Sequence, residues 1–338
     1  MHDLDIIHAL QRKVGKPFPY AMEGEWVVSL SLTSPDAIFS GLIRHHSAQE
    51  KQEILGLVAR LARLRSLDLR RCMLLETPEA LGNLIALDYL DLGSNFLGQV
   101  PSWIGKIRDL RYLNLAVNQL DALPSFLARF SNMRTLLLHK NRIANFSAEF
   151  SAMDKLDYLN LYFNRMSSIP SFIWGCTSLR TFTWGVSALS ELSPEIGRLQ
   201  NLEYLTLVNT RISRLPDSFG ALKELKATRL HKNQLRELPE TIGQLRSLQQ
   251  LSLYTNQLSA LPASFARLEK LEKLNLSQNR FEVFPSPVAQ LPGLAWLAYF
   301  DNPQQLEAAP FSFGGEFLAL RPFNARDATD RVNGKCSG

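Results

Sequence analysis

Cysteine is scarce in this sequence: there are three in 338 residues, Cys72, Cys176 and Cys336. Three scattered thiols exclude a disulfide framework and a cysteine metal cluster, and they suit a reducing compartment. Long apolar runs are missing too. No stretch approaches the roughly 18 uninterrupted apolar residues of a membrane span. The opening, MHDLDIIHALQRK, has acids where a secretory leader is basic. The chain is expected to be cytoplasmic, with delivery by a specialised route left open. None of G-x-x-x-x-G-K-[ST], G-x-G-x-x-G, H-E-x-x-H, G-x-S-x-G or C-x-x-C occurs, so the commonest catalytic and nucleotide-binding patterns are excluded. The adjacent His45-His46 pair is a poor metal site, because neighbouring helix side chains diverge. The expectation is a protein that is no enzyme and uses no cofactor or metal. Charge of one sign is in small excess, 37 Lys and Arg against 32 Asp and Glu for a net +5, too little for a continuous nucleic-acid groove.

What the sequence has in abundance is leucine at a fixed interval. Leu64, Leu87, Leu110, Met133, Leu156, Leu179, Leu202, Leu225, Leu248, Leu271 and Leu294 follow one another at 23-residue steps, which is the mark of a repeat architecture. Numbering each unit from that residue, positions 1, 4 and 6 of eleven units are 33 sites, 28 of them Leu; Thr228 is the one plainly polar member. A short strand with these positions inward leaves 2, 3, 5, 7 and 8 outward, so stacked units build a parallel sheet along one side of a solenoid. Position 9 is Asn in eight units: Asn95, Asn118, Asn141, Asn164, Asn233, Asn256, Asn279 and Asn302. An inward Asn there satisfies backbone groups of the turn after the strand. Cys72, Ser187 and Thr210 replace it elsewhere, and looser packing is expected in units 6 and 7. Pro at position 15 starts the convex return. Cys176, at position 21, reads as a small buried hydrophobe.

The ends depart from the period, as the ends of a solenoid must. Residues 1–63 are expected to cap the N-terminus with a helix carrying Leu4, Ile7, Leu10 and Val14 on one side, an unpaired first strand in WVVSLSLTS, and a second helix started by the capping box Ser47-Ala-Gln-Glu50. Eleven repeats fill 64–302. Apolar FSFGGEFLALRPF supplies a C-terminal cap over 303–324, and 325–338 is a polar tail.

The pattern L-x-x-L-x-L-x-x-N-x-L-x-x-L-P, whole in Leu248–Pro262, together with the return I-G-x-L, as in Ile242, Gly243 and Leu245, resembles the leucine-rich repeats of the intracellular Ras-scaffold-like and bacterial class. The resemblance implies an α/β solenoid: a curved right-handed horseshoe with a parallel concave sheet and a helical N-terminal cap. It also implies a non-enzymatic scaffold or recognition module that binds another protein through its concave face. The alternative reading is a bacterial effector, or the recognition part of a ubiquitin-ligase-type effector system, acting on host proteins.

Six of the eight tyrosines fall on the 55 outward positions: Tyr89, Tyr112, Tyr158 and Tyr204 at position 3, Tyr162 and Tyr254 at position 7. Tyr gives large amphipathic contact area at low entropic cost, although β-propensity alone also favours it on strands. Phe163 and Trp296 join them. The same positions hold eleven Lys or Arg against seven Asp or Glu, so the expected partner is a protein with a mildly acidic surface and the expected chain is a monomer. His139, Lys140, Arg229, His231 and Lys232 are the candidates to orient acidic groups. Units 4 and 5 recur in units 8 and 9, placing His139 and Tyr162 in correspondence with His231 and Tyr254. Duplication explains this, as would two similar subsites about 20 Å apart along the sheet.

Overall fold

The computed structural model describes residues 2–33 and 41–303. A unit whose inward positions are apolar has no way to bury them except against its neighbours. The eleven short strands therefore stack, from β3 (Ser66–Asp68) to β13 (Trp296–Ala298), on positions 3 to 5 in all but units 6 and 7. They pair in parallel with partners one period apart, as in Leu67↔Leu90 and Leu136↔Leu159. One-turn 3₁₀ helices such as Ser102–Lys106 and Glu240–Gln244 form the convex side, entered from the position-15 proline except in units 4 and 6, where Ser147 and Ser193 stand there. Positions 1, 4 and 6 are buried in every unit except at Leu297, which is half-buried. The polar intruder Thr228 is buried with its hydroxyl unpartnered.

The asparagines do what their position requires. Asn95 Nδ2 donates to Leu69 O (3.0 Å) and Leu92 O (2.9 Å), while Oδ1 accepts from Leu74 N (3.1 Å). The same three bonds recur at Asn118, Asn141, Asn164, Asn256 and Asn279. Asn233 and Asn302 bridge two carbonyls likewise and accept from Thr210 N and Asn279 N. Units 6 and 7 are not loosened by lacking this residue. There the strands Thr181–Gly185 and Tyr204–Val208 run five residues and pair through Gly185↔Val208, so backbone bonds take over. Ser187 accepts from Trp184 Nε1 (2.9 Å).

Two further regularities stabilise the exit from each strand. Position 5 is Asp or Asn in five units, and its carboxyl or amide oxygen accepts from the backbone N–H two residues on, as in Gly93 N to Asp91 Oδ1 (2.9 Å) and Tyr162 N to Asn160 Oδ1 (3.1 Å). Position 8 is left-handed in all eleven units, with φ between 52° and 59°, and none of these residues is glycine. The chain turns off the sheet there, so position 8 belongs to the rim where the strands exit, not to the concave floor.

The N-terminal cap contains one more strand than expected. β1 (Tyr20–Glu23) pairs antiparallel with β2 (Trp26–Ser31), so the WVVSLSLTS strand is flanked on both sides. α1 (Asp3–Val14) buries Ile6, Ile7, Leu10 and Val14, whereas Leu4 is exposed. Asp3 takes the buried place, because its carboxylate accepts from Val27 N at 2.8 Å. α2 (Ala48–Val58) begins at the Ser47–Glu50 capping box, and His46 Nε2 lies 3.0 Å from Lys13 O. Cys72 and Cys176 are buried, and burial pushes both thiols up to about 12. The expected C-terminal cap, the tail and Cys336 lie outside the described residues.

Candidate functional site

The concave floor is built from three rows, positions 3, 5 and 7, one residue of each per unit. At its N-terminal end the polar groups cluster on one another, although Asp91 Oδ2 is buried with no hydrogen-bond partner. Arg70 forks onto Asp68 through Nε–Oδ1 (3.0 Å) and Nη2–Oδ2 (2.8 Å), and its Nε lies 3.3 Å from Asp91 Oδ2. Tyr89 and Tyr112 stack beside them, ring centroids 4.1 Å apart and 11° from parallel. Asp91 is wholly buried, and burial, then the neighbouring Asp68, pushes its carboxyl up to about 7 against the pull of Arg70. Burial likewise raises the Tyr89 phenol to about 12.

Thr135 separates this end from the centre, units 5 to 9. Tyr158 and Tyr204 stand half-buried in row 3, Arg229 in row 5, and Tyr162, His231 and Tyr254 in row 7. His231 stacks on Tyr254 at 4.3 Å and 12°, with Ser252 Oγ 3.4 Å from its Nδ1. Burial holds His231 and His139 down to about 4, so both imidazoles are neutral at physiological pH. Tyr162 leans over Gly185, whose missing Cβ leaves that space free: a methyl there would lie 3.1 Å from the Tyr162 ring and 2.3 Å from Val208 O. Tyr254 is raised by burial and then by Tyr162, and lowered by Arg229, which also lowers Tyr158. Tyr162 and Arg229 thus act electrostatically on tyrosines of other units across the floor. Between its walls the floor is of small side chains, Thr181, Thr183, Thr206 and Ala227. Rows 3, 5 and 7 of units 4 to 9 contain no carboxylate, and Arg229 is their one Lys or Arg.

The basic excess expected on the concave face is distributed differently. Position-2 cations are neutralised by their neighbours: Arg134 meets Asp157 at 3.6 Å, and Glu203 joins Arg180 to Lys226, the latter at 2.6 Å. Lys226, then Arg180, holds the Glu203 carboxyl below the usual carboxylate range. Lys140, Phe163 and Lys232 stand at left-handed position 8 on the rim, with Phe163 52% exposed. Trp296 is half-buried in the last strand, separated from Tyr204 by Ala227, Gln250 and Lys273 in its row. Sequence reading missed the position-5 turns, whose signal was Asp or Asn recurring at a site counted as variable.

Models of the leucine-rich repeat region and of the leucine-rich repeat match residues 170–257, and 63–84 and 270–291, respectively. No curated protein sequence matches the chain. Among solved structures, a leucine-rich repeat protein of Leptospira interrogans is 25% identical, with 71% of this chain and 74% of that one covered at a TM-score of 0.56. A plant peptide hormone receptor, RGFR1, in complex with RGF2 is 26% identical over 73% of this chain, TM-score 0.57; the match spans 49% of the receptor. An internalin of Listeria monocytogenes shares the fold at 20% identity, covering 88% and 89%, TM-score 0.61. Repeat, sheet and asparagine ladder define a solenoid of the kind that serves as a protein-interaction scaffold. The chain has the leucine-rich repeat fold, and residues 63–84, 170–257 and 270–291 match models of that repeat, which is typical of binding modules. Among the described residues no helix is long and apolar enough to cross a membrane.

Proposed function

We propose that the protein is a non-enzymatic recognition module that binds a segment of another protein on the centre of its concave floor. The observation that carries this reading is the assembly of half-buried aromatics from units 5, 7, 8 and 9 around a floor of small residues, free of carboxylates. Tyr158, Tyr162, Tyr204 and Tyr254 are the anchors, with ring faces for packing and hydroxyls for hydrogen bonds. Arg229 orients an acceptor of the partner, and neutral His231 adds a hydrogen-bonding nitrogen without charge. The similarity to a plant peptide hormone receptor solved in complex with RGF2 agrees with a polypeptide occupant. Affinity capture from source-cell lysate, native chain against a Tyr158→Ala, Tyr162→Ala, His231→Glu variant with an unchanged circular dichroism spectrum, tests it. One protein enriched by the native chain and lost with the variant supports the reading; identical capture by both overturns it.

A further inference from the structure

The rim where the strands exit is charged quite unlike the rim where they begin. Over positions 8 to 13 of units 4 to 8 it presents Lys140, Arg142 and Arg165 in one cluster and Arg211, Arg214, Lys232 and Arg236 in a second. Glu191 and Glu237 are the carboxylates in that stretch. Seven cations against two anions is a local excess of five, equal to the net charge of the whole chain. All seven cations are exposed. Among the described residues Arg165 alone of them makes an ion pair, with Asp121 at 3.7 Å, where both side chains are about two-thirds exposed and the pair is weak. At the opposite rim, as shown above, Arg134, Arg180 and Lys226 lie against carboxylates one period away.

The cationic rows are also held in place. Arg142 N donates to Leu120 O (2.9 Å), Arg165 N to Ile143 O (2.9 Å), Arg211 N to Leu189 O (2.8 Å) and Arg236 N to Ser213 O (3.1 Å). These bonds tie each rung to the one before it, so the charges stand on a fixed frame and repel one another with little internal compensation. Such an arrangement is complementary to an anionic partner and accelerates its encounter.

We propose that this rim is a docking surface for an acidic segment of a protein, separate from the concave floor. A protein fits better than a nucleic acid. Unit 6 interrupts the stripe with Ala188, Ser190 and Glu191, and Glu237 follows Arg236, whereas a uniform polyanion calls for a continuous one. Exposed Phe163 lies within the first cluster and offers an apolar contact that a protein side chain can use.

The test titrates the whole chain with three probes: a labelled peptide of glutamate and serine with two acidic clusters, a duplex DNA of about two helical turns, and phosphatidylcholine vesicles containing phosphatidylserine. The peptide is expected to bind, to weaken as salt rises, and to lose about tenfold or more in affinity with Arg211→Glu, Arg214→Glu, Arg236→Glu. The lysine triple at the same sites should retain binding. Tyr204→Ala should leave it unchanged, which separates this surface from the concave floor. Equal loss on reversing Arg180 and Lys226 at the opposite rim overturns the proposal, as does peptide binding indifferent to the rim in a variant of unchanged melting temperature. Tighter, rim-dependent binding of the DNA or the vesicles overturns the assignment to a protein.

Discussion

The two ends of the concave floor treat polar groups in opposite ways. In units 1 to 3 the carboxylates are buried and bonded to Arg70, to backbone N–H groups and to each other's neighbours, and Tyr89 lies on Tyr112. In units 5 to 9 the aromatic and imidazole groups are neutral, half-buried and arranged around small residues. The first region uses its side chains to hold itself together; the second, on the reading proposed above, leaves surface for a partner. On that reading a row of similar-looking outward positions divides into stability and recognition according to whether its side chains are spent mainly on one another.

The most forceful way to break this contrast is to attack the shared core beneath both ends. Leu90→Ala and Leu159→Ala, both fully buried, are each expected to cost about 2 to 5 kcal/mol of stability in chemical denaturation. A large gap between them would mean that the floors differ in packing and not only in chemistry.

A sharper test uses pH, because the two ends slope in opposite directions over one window. Asp91 keeps its proton in the folded chain up to about 7. Between its unfolded value near 4 and pH 7 the native state thus holds more protons, and stability falls as pH rises. His139 and His231 are depressed from 6.5 to about 4. Below 6.5 the unfolded state takes up protons first, so their contribution is lost as pH falls toward 4. The wild-type profile should be flattened by this opposition. Asp91→Asn should expose the histidine slope, and His139→Gln with His231→Gln should expose the aspartate slope. Each change is on the order of 2 kcal/mol across the window in denaturation at stepped pH. Parallel profiles for all three proteins would refute the assignment.

Recognition should separate from stability at the centre alone. Tyr254→Ala is expected to weaken capture of a concave-face partner by about 2 kcal/mol while the loss in unfolding free energy stays near 1 kcal/mol or below. A smaller effect comes from Thr228, whose buried hydroxyl has no partner. Thr228→Val should raise stability by about 1 kcal/mol in thermal denaturation, since it removes an unsatisfied polar group with little change of shape. Smallest of all, Val117 and Val186 hold a left-handed backbone with φ of 56° and 54°. That conformation crowds a β-branched side chain, and Val117→Asn or Val186→Asn should each add roughly 0.5 to 1 kcal/mol in either region alike.

Much of this molecule is readable from its residues alone. The 23-residue interval, the buried positions 1, 4 and 6, the asparagine at 9 and the proline at 15 are repeated because every unit meets the same neighbours, and burial leaves the same imprint each time. The capping box at Ser47 is equally local. Less legible were contacts that join two periods or act across the floor. Nothing in WVVSLSLTS alone indicates that Tyr20–Glu23 folds back to pair with it. Counting charges could not tell that Glu203 neutralises Arg180 and Lys226 from adjacent units, or that position 8 swings Lys140 and Lys232 to the rim. The electrostatic effect of Tyr162 on Tyr254 is likewise invisible at a separation of four units.

The sequence by itself determined the solenoid, its period and its core, because those depend on which side chains flee water, a property each residue carries with it. Only the tertiary structure decided which outward groups are spent on one another and which are left at the surface. That outcome depends on distances between side chains of successive units and on the direction the backbone gives them, and neither is written in any single repeat.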